Sequence, residues 1–138
     1  MFAAVAGTPA WAVDYRSVDP AAAVMFDTPS ANGKKLYVIR RFTPLEVVVS
    51  LEGWVKVRDQ DGSLAWIERK SLSERRTVIV TVPRAEIRSA PDADANVVFE
   101  ADRSVALDVT ESPKDGWVRV RHVDGQSGFV RVTQIWGV

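Results

Sequence analysis

The residue types that carry most enzyme chemistry are scarce in this chain. It has a single histidine, His122, and no cysteine, so a nucleophile–base pair of cysteine and histidine cannot form. The sequence has no Gly-x-Ser-x-Gly motif and no phosphate-cradling glycine loop. His122 follows Arg121 near the end of a predicted strand, where we expect it to be exposed. The sequence therefore predicts a protein that is not an enzyme and uses no cofactor.

The acidic residues lack the spacing of a metal site. Asp92 and Asp94 flank an alanine in a stretch that indicates a solvated acidic loop. Residues 59–62, Asp-Gln-Asp-Gly, are similar to the start of a calcium loop, but no bidentate glutamate follows at the required spacing. A hairpin turn explains this segment better. We therefore predict no metal site.

A pattern suited to binding occurs twice. Residues 53–58 read Gly-Trp-Val-Lys-Val-Arg, and residues 116–121 read Gly-Trp-Val-Arg-Val-Arg, 63 positions later. Alternate side chains of a strand share a face, so each tryptophan would lie beside two cations. Such a face suits an extended peptide with carboxylates. The alternative is that the tryptophans seal a barrel or a contact between units. The candidate binding residues are Trp54, Lys56 and Arg58 in the first copy, and Trp117, Arg119 and Arg121 in the second.

The repeat extends over most of the chain. Asp61-Gly62 matches Asp124-Gly125 and Trp66 matches Phe129 at the same shift of 63. Residues 23–29 match residues 85–91 at a shift of 62, which implies one inserted residue. A period of about sixty residues is too long for a solenoid unit and indicates one small domain duplicated. A surface displayed twice favours a binding or adaptor role over a single active site.

Alternation at period two predicts an all-β chain. The Asp-Gly pairs at 61–62 and 124–125 predict type I′ hairpin turns with both residues at positive φ. Trp66 and Phe129, flanked by small and β-branched residues, are predicted to fill the cores. Short helical turns are expected only near residues 70–72 and 133–135. The predicted strands are residues 36–38, 45–49, 54–58 and 64–67 in the first unit, and 97–99, 105–110, 117–121 and 127–131 in the second.

We expect the two units to be small, strongly bent β-barrels in tandem that abut closely. A domain of about 60 residues buries only about 60% of its unfolded surface, and without cysteine no disulfide can stabilise it. We therefore expect each unit to gain stability by packing against the other. The β-branched run at 77–82 joins the units without a glycine-, serine- or proline-rich spacer. The predicted domains are residues 13–80 and 81–138.

The first twelve residues predict a trimmed signal-peptide remnant or a disordered tail. They begin apolar, and Ala10-Trp11-Ala12 has the small-x-small pattern that precedes signal cleavage. A basic leading region is missing and the apolar stretch is short, so we expect the true start to lie upstream of Met1. This predicts export by a Sec-type signal to the periplasm or the extracellular space. No segment is long enough to predict a membrane span.

Charge argues against nucleic acid as a partner. The chain has 18 basic and 18 acidic residues, whereas nucleic-acid binding usually needs a basic stripe. Lys34-Lys35 and Arg40-Arg41 form a local basic cluster, but Asp27 and Glu46 lie near it in the sequence. We interpret this cluster as a solvated charged face.

Each unit resembles the bacterial SH3-like (SH3b) domain, in the form found in small exported proteins of uncharacterised function. Those domains open with an apolar-x-apolar-Arg-Ser-x-Pro strand and continue with Gly-Trp-x-x-Val, a glycine loop, a small-aromatic-β-branched triplet and a final apolar residue. The first unit departs at Met25-Phe26-Asp27, which replaces the Arg-Ser signature and leaves the shape of its first loop open. The matching residues are 85–91, Gly116-Trp117, Val120, Gly125, Gly128-Phe129-Val130 and Ile135, and in the first unit Gly53-Trp54, Val57, Gly62, Ala65-Trp66-Ile67 and Leu72.

The resemblance implies tandem SH3-like barrels and a role in attaching proteins to cell-wall peptides. Under this hypothesis the partner is peptidoglycan, through its stem peptides, or a peptide segment of a periplasmic protein. The six candidate residues named above would line the groove. The alternative is a structural or assembly module that takes no small ligand and pairs through its sheet edges. A third, less favoured hypothesis is an intracellular nucleic-acid-binding protein, which would require the N-terminus to be uncleaved. The oligomeric state remains open at this stage.

Overall fold

The computed structural model describes residues 13–138, which form two antiparallel sheets of seven strands each. The all-β prediction is confirmed; the predicted signal remnant or tail at 1–12 lies outside the described residues. Two short 3₁₀ turns, Arg69–Ser71 and Val132–Gln134, lie where helical turns were expected. The strands are β1 (Tyr15–Val18), β2 (Ala22–Phe26), β3 (Lys35–Arg40), β4 (Pro44–Ser50), β5 (Trp54–Arg58), β6 (Leu64–Glu68), β7 (Leu72–Ser73), β8 (Thr77–Val80), β9 (Arg84–Arg88), β10 (Val97–Asp102), β11 (Ala106–Val109), β12 (Trp117–Arg121), β13 (Ser127–Arg131) and β14 (Ile135–Trp136).

The two sheets have the same topology. The strand order is β3-β2-β6-β5-β4-β1-β7 in the first sheet and β10-β9-β13-β12-β11-β8-β14 in the second. Each strand of the first sheet has its counterpart at the same place in the second. The duplication read from the sequence is therefore a duplication of structure.

Each sheet encloses its own core. Val55 and Val57 of β5 point inward, and so do Ala65 and Ile67 of β6; these four side chains are at most 2% exposed. In the second unit Val118, Val120 and Val130 take the corresponding positions. Burying a side chain of valine or isoleucine size stabilises a fold by about 1.5–3 kcal/mol, so these inner faces hold each sheet in its curled form.

Trp66 and Phe129 do not fill the cores, and this prediction was wrong. Both side chains are half-buried on the outer face of their sheets. The small and β-branched neighbours that suggested a core position, such as Ala65 and Ile67, are themselves the residues that face inward. Because side chains alternate along a strand, Trp66 between them must face outward.

The Asp-Gly hairpins are type I turns followed by a glycine, and the type I′ prediction was wrong for both. At Asp61-Gly62 only the glycine has a positive φ, of 86°, and the amide of Gly62 donates to the carbonyl of Asp59 at 2.9 Å. Asp59 and Ser63 close the loop with a 3.0 Å bond, which leaves three residues between them. A three-residue loop takes a type I turn with a left-handed residue after it.

A type I′ turn does occur, at Asp115-Gly116. These residues have φ values of 52° and 85°, and Lys114 and Trp117 exchange backbone bonds of 2.8 and 3.0 Å across them. The first unit has one residue fewer between Ser50 and Gly53 than the second has between Ser112 and Gly116. The inserted residue thus creates a tight hairpin directly before Trp117.

The first loop has the same backbone shape in both units despite the departure at Met25-Phe26-Asp27. In the first unit the amide of Gly33 donates to the carbonyl of Ser30 at 2.9 Å, and in the second Ala95 donates to Asp92 at 3.0 Å. The bonds that close the two loops also correspond. The sequence difference therefore changes a side chain on β2 and not the loop.

The two units abut through a three-residue connector, 74–76. Strand β8 belongs to the second sheet, so the structural division falls between residues 73 and 77. The Ser17 hydroxyl donates to the carbonyl of Arg75 at 2.7 Å, and the Thr77 hydroxyl donates to the carbonyl of Phe42 at 2.7 Å. Ser17 and Thr77 are 1% and 2% exposed. Because both hydroxyls are sealed from water, these bonds fix the junction.

Charged and aromatic contacts reinforce the junction. The guanidinium of Arg75 forms a bidentate pair with Asp108 at 2.6 Å, which raises the pKa of that arginine. The rings of Tyr15 and Trp136 meet edge to face at 5.3 Å. Arg76 donates to the carbonyl of Gly137 at 3.2 Å. The first and last strands of the described chain are thereby joined.

Candidate functional site

The second unit carries a groove of about 380 Å³ on the outer face of its sheet. Its apolar surface comes from Trp117, Phe129 and Pro91, which lie on β12, on β13 and in the loop after β9. Strand pairing explains why the two aromatic residues share this face, because β12 and β13 are antiparallel neighbours in register. The groove is therefore a product of the sheet itself.

Trp117 is positioned from both sides. The type I′ turn ends at this residue, and Arg131 lies opposite it on β13. The guanidinium of Arg131 lies 4.5 Å from the centre of the indole ring, a cation–π contact. The tryptophan is only 8% exposed, so it forms the base of the groove rather than its rim.

Charges of both signs form the rim. Arg119 lies 5.7 Å from the centre of the Phe129 ring and donates to Glu111 at 2.9 Å. Lys114 and Asp115, from the type I′ turn, complete the charged lining. An aromatic base with mixed charges around it can hold an apolar stem while meeting both carboxylate and ammonium groups.

On the corresponding face of the first unit, Phe26 packs against Trp54, which is half-buried. The Phe26 ring is 6% exposed and packs edge to face against Trp54, at 5.3 Å between ring centres and 87° between planes. Phe26 pairs with Trp66 as Arg88 pairs with Phe129, so the two residues are equivalent. Arg88 is instead held by Glu86 at 2.8 Å and by the carbonyl of Ala95 at 2.7 Å.

The structure brings together only some of the candidate residues. Trp117 and Arg119 line the groove, whereas Arg121 lies one pair further along β12, opposite Ser127. In the first unit, Lys56 lies opposite Trp66, and Arg58 is engaged by both carboxylate oxygens of Glu46 at 3.2 Å. The sequence correctly placed each tryptophan and its basic neighbours on one face of a strand. It did not show that this face forms a groove in the second unit, whereas in the first unit Phe26 packs on it.

Sequence reasoning also missed Pro91, Glu111 and Lys114. The signal that could have found Lys114 is the one-residue insertion before Gly116, which moves this loop to the edge of the groove. Glu111 has no comparable signal, because it reaches the site only through its pair with Arg119.

Three ionisable residues outside the groove, His122, Asp124 and Tyr37, contact other side chains or the backbone. The half-buried His122 has its Nδ1 atom 3.2 Å from Asp124, and the Gln126 amide is the main cause that lowers the pKa of Asp124. The Tyr37 hydroxyl donates to Asp59 at 2.9 Å; burial and this bond raise the pKa of Tyr37 to about 12. Within residues 13–138, no group of three or more histidine or acidic side chains could hold a metal ion. The same residues contain no helix long and apolar enough to cross a membrane.

Comparison with known families identifies the class of this fold. The family model of the bacterial SH3 domain matches the chain twice, at residues 19–74 and 81–137. The chain belongs to this family and contains two tandem bacterial SH3 domains. The family and the tandem SH3-like fold expected from the sequence are thus confirmed. No curated protein matches the chain.

The solved structures that match this chain are longer than it is. NlpC2 from Trichomonas vaginalis is 15% identical with a TM-score of 0.42, over 92% of this chain and 49% of that one. NlpC1 from the same organism is 14% identical with a TM-score of 0.42, over 100% of this chain and 51% of that one. An NlpC/P60 family protein from Bacillus cereus is 17% identical with a TM-score of 0.41, over 88% and 55%. The chain spans about half the length of these proteins.

Proposed function

We propose that this protein is a non-catalytic binding module of the cell envelope that holds short peptide segments in the groove of its second unit. Peptidoglycan stem peptides are the ligand that fits best. The observation that carries the proposal is the groove of the second unit, whose base is formed by Trp117 and Phe129 and whose rim carries charges of both signs. The proposal gives the residues of this groove a binding role and no catalytic one.

The rim chemistry favours stem peptides over uncharged peptides. Stem peptides are short and carry free carboxylates, and many also carry a free amino group. Arg119 and Lys114 can meet the carboxylates, and Glu111 and Asp115 can meet an ammonium group. The aromatic base supplies apolar contact to the peptide stem between these charges.

The first unit supports the second in this proposal. Phe26 packs against Trp54 at the position that Arg88 has in the second unit, and no groove of the kind described for the second unit is seen beside them in the described residues. The buried hydrogen bonds at the junction hold the first unit against the second. The proposal therefore assigns one peptide site to the chain and not two.

Location in the envelope is part of the same proposal. It rests on the exported proteins that the sequence resembles and on the signal remnant predicted at residues 1–12. Membership of the bacterial SH3 family is consistent with this location. A periplasmic protein that offers an extended peptide with carboxylates is the second partner compatible with the groove.

The test is co-sedimentation of the purified protein with isolated cell-wall sacculi. Arg119→Glu reverses a charge at the rim, on an exposed side chain beside Glu111. We expect it to weaken binding at least tenfold, as expected when a charge-assisted contact is lost. Lys56→Glu is the matched control, since Lys56 is the counterpart of Arg119 in the first unit, and it should change binding less than twofold.

Circular dichroism would establish that both variants are folded. Wild-type protein that stays in solution would refute the assignment of cell wall as ligand. Equal losses for Arg119→Glu and Lys56→Glu would refute the assignment of the second-unit groove as the site.

A further inference from the structure

A basic cleft of about 300 Å³ lies where the two units meet, away from the peptide groove. The first unit contributes Arg40 and Arg41, and the second unit contributes Arg103 and His122. No aspartate or glutamate lines it. Neither unit could form this cleft alone.

Two equivalent turns face each other across the cleft. Arg41-Phe42 follows β3 in the first unit, and Arg103-Ser104 follows β10 at the same place in the second, 62 positions later. Phe42 and Ser104 both have a positive φ, of 69° and 75°. The amide of Phe42 donates to Val18 and that of Ser104 donates to Val80, each at 2.8 Å. Each turn therefore presents its arginine from the same backbone geometry.

None of the three arginines of the cleft, Arg40, Arg41 and Arg103, forms an ion pair with another described residue. Among residues 13–138, none of the ion pairs within 4.0 Å involves Arg40, Arg41 or Arg103. All three are exposed. The cleft thus concentrates positive charge in a chain whose net charge is zero. Like charges placed together repel, and a bound anion would relieve that repulsion.

The two arginines of the turns are held in place without losing their charge. The guanidinium of Arg41 lies 4.9 Å from the centre of the Phe42 ring, and that of Arg75 lies 4.4 Å from the same ring. Arg103 donates to the carbonyl of Thr81 at 2.7 Å. Cation–π and carbonyl contacts fix a guanidinium but leave other N–H donors free.

We propose that this cleft binds a phosphate group, either of a soluble phosphate ester or of a phospholipid headgroup. Guanidinium groups match the oxygens of a phosphate with paired donors, and hydroxyl groups of Thr43 and Ser104 in the lining can add to them. A phosphate offers oxygens in several directions, which suits donors arriving from two opposed turns.

Arg41 and Arg103 carry the site. Arg40 also lines a neighbouring groove that contains Asp59 and Asp61, so its charge is shared with those carboxylates. The site is independent of the peptide groove, because the two share no lining residue. Failure of one proposal would leave the other standing.

The test follows backbone amide NMR shifts of the full chain during titration with inorganic phosphate. Sodium chloride at matched ionic strength is the reference. We expect saturable shifts confined to the residues that line the cleft, namely 40–43, 103–106 and His122. The Arg41→Gln, Arg103→Gln double variant should bind phosphate at least tenfold more weakly. Lys35→Gln, Lys70→Gln removes the same charge at exposed sites outside the cleft and should bind as the wild type does.

A second arm distinguishes the source of the phosphate. Flotation with phosphatidylglycerol vesicles, beside phosphatidylcholine vesicles, reports on lipid headgroups. If the protein binds inorganic phosphate but does not float with either kind of vesicle, the ligand is a soluble phosphate ester. If it floats with phosphatidylglycerol vesicles and the arginine double variant does not, the ligand is a phospholipid headgroup. The proposal is overturned if chloride reproduces the phosphate shifts or if the shifts fall outside the residues that line the cleft. Equal effects of the two double variants would overturn it as well.

Discussion

Removing one hydroxyl at the junction should weaken the whole chain. Thr77 on β8 donates to the carbonyl of Phe42 in the other unit at 2.7 Å and is 2% exposed. Thr77→Val keeps the shape of the side chain and removes the donor. The Phe42 carbonyl then loses this hydrogen bond at a site that the new methyl group keeps from water.

The loss is that of a buried acceptor left without its partner, which costs about 1–3 kcal/mol. The free energy of unfolding of a natural domain is about 5–15 kcal/mol, so the loss is a sizeable fraction of it. With a urea slope of about 2 kcal/mol per molar, a loss of about 2 kcal/mol moves the unfolding midpoint down by about 1 M.

The assay is urea unfolding followed by far-ultraviolet circular dichroism. Thr110→Val is the matched control, because the Thr110 hydroxyl also donates to a carbonyl, that of Arg119 at 3.3 Å, but at an exposed position. Water can replace that bond, so the control should change the free energy of unfolding by less than about 0.5 kcal/mol.

Two results would refute the reasoning. A midpoint for Thr77→Val no lower than that of Thr110→Val would mean that the junction bond contributes nothing. Two separate transitions in the wild type, with Thr77→Val shifting only the one that belongs to the second unit, would mean that the units do not unfold together.

Two further predictions concern single side chains. In Gly128→Ala the new methyl carbon would lie 2.6 Å from the carbonyl oxygen of Arg88, so we expect a loss near the upper end of the about 1–3 kcal/mol typical of overpacking. Gly125→Ala meets open space and only strains a φ of 97°, so urea unfolding should show a loss of about 1 kcal/mol; an equal or smaller loss for Gly128→Ala would contradict the steric argument. Burial and the bond to Asp59 raise the Tyr37 pKa from 10.0 to about 12, so the folded state holds the phenol proton more tightly than the unfolded chain. The resulting stability should be complete below pH 10.0 and disappear as the pH rises towards 12; a phenolate absorbance step near pH 10.0 that Tyr37→Phe removes would show this to be wrong.

The strands were predictable because their signal is local. Alternation along residues such as Val55 and Val57 is set by the pleat of the strand itself, and the inward positions followed from it. The same rule placed Trp117 and Arg119 on one face. For Trp66 the prediction failed because its small and β-branched neighbours were taken as a sign that the tryptophan is buried, whereas those neighbours themselves face inward.

The sequence could not predict that the face carrying the tryptophan forms a groove in the second unit, whereas in the first unit Phe26 packs on it. The difference depends on Phe26 and Arg88, which reach the aromatic residues only through the pairing of β2 with β6 and of β9 with β13. Those pairings join residues about forty positions apart, and local patterns do not specify such contacts. The basic cleft could not be predicted from the sequence for the same reason, because Arg41 and Arg103 come together only when the two units pack against each other.

The three-residue connector has a consequence for any ligand long enough to touch both units. The Arg75 carbonyl accepts a hydrogen bond from the first unit, and the side chains of Arg75 and Arg76 donate hydrogen bonds to the second unit. The two units therefore lose little rotational freedom when such a ligand binds. A flexible connector would lose conformational entropy when such a ligand binds, whereas this connector has already lost that entropy on folding. Because the connector is rigid, the fold fixes the distance between the peptide groove and the arginine cleft. A ligand that binds to both must therefore have a length that matches this distance.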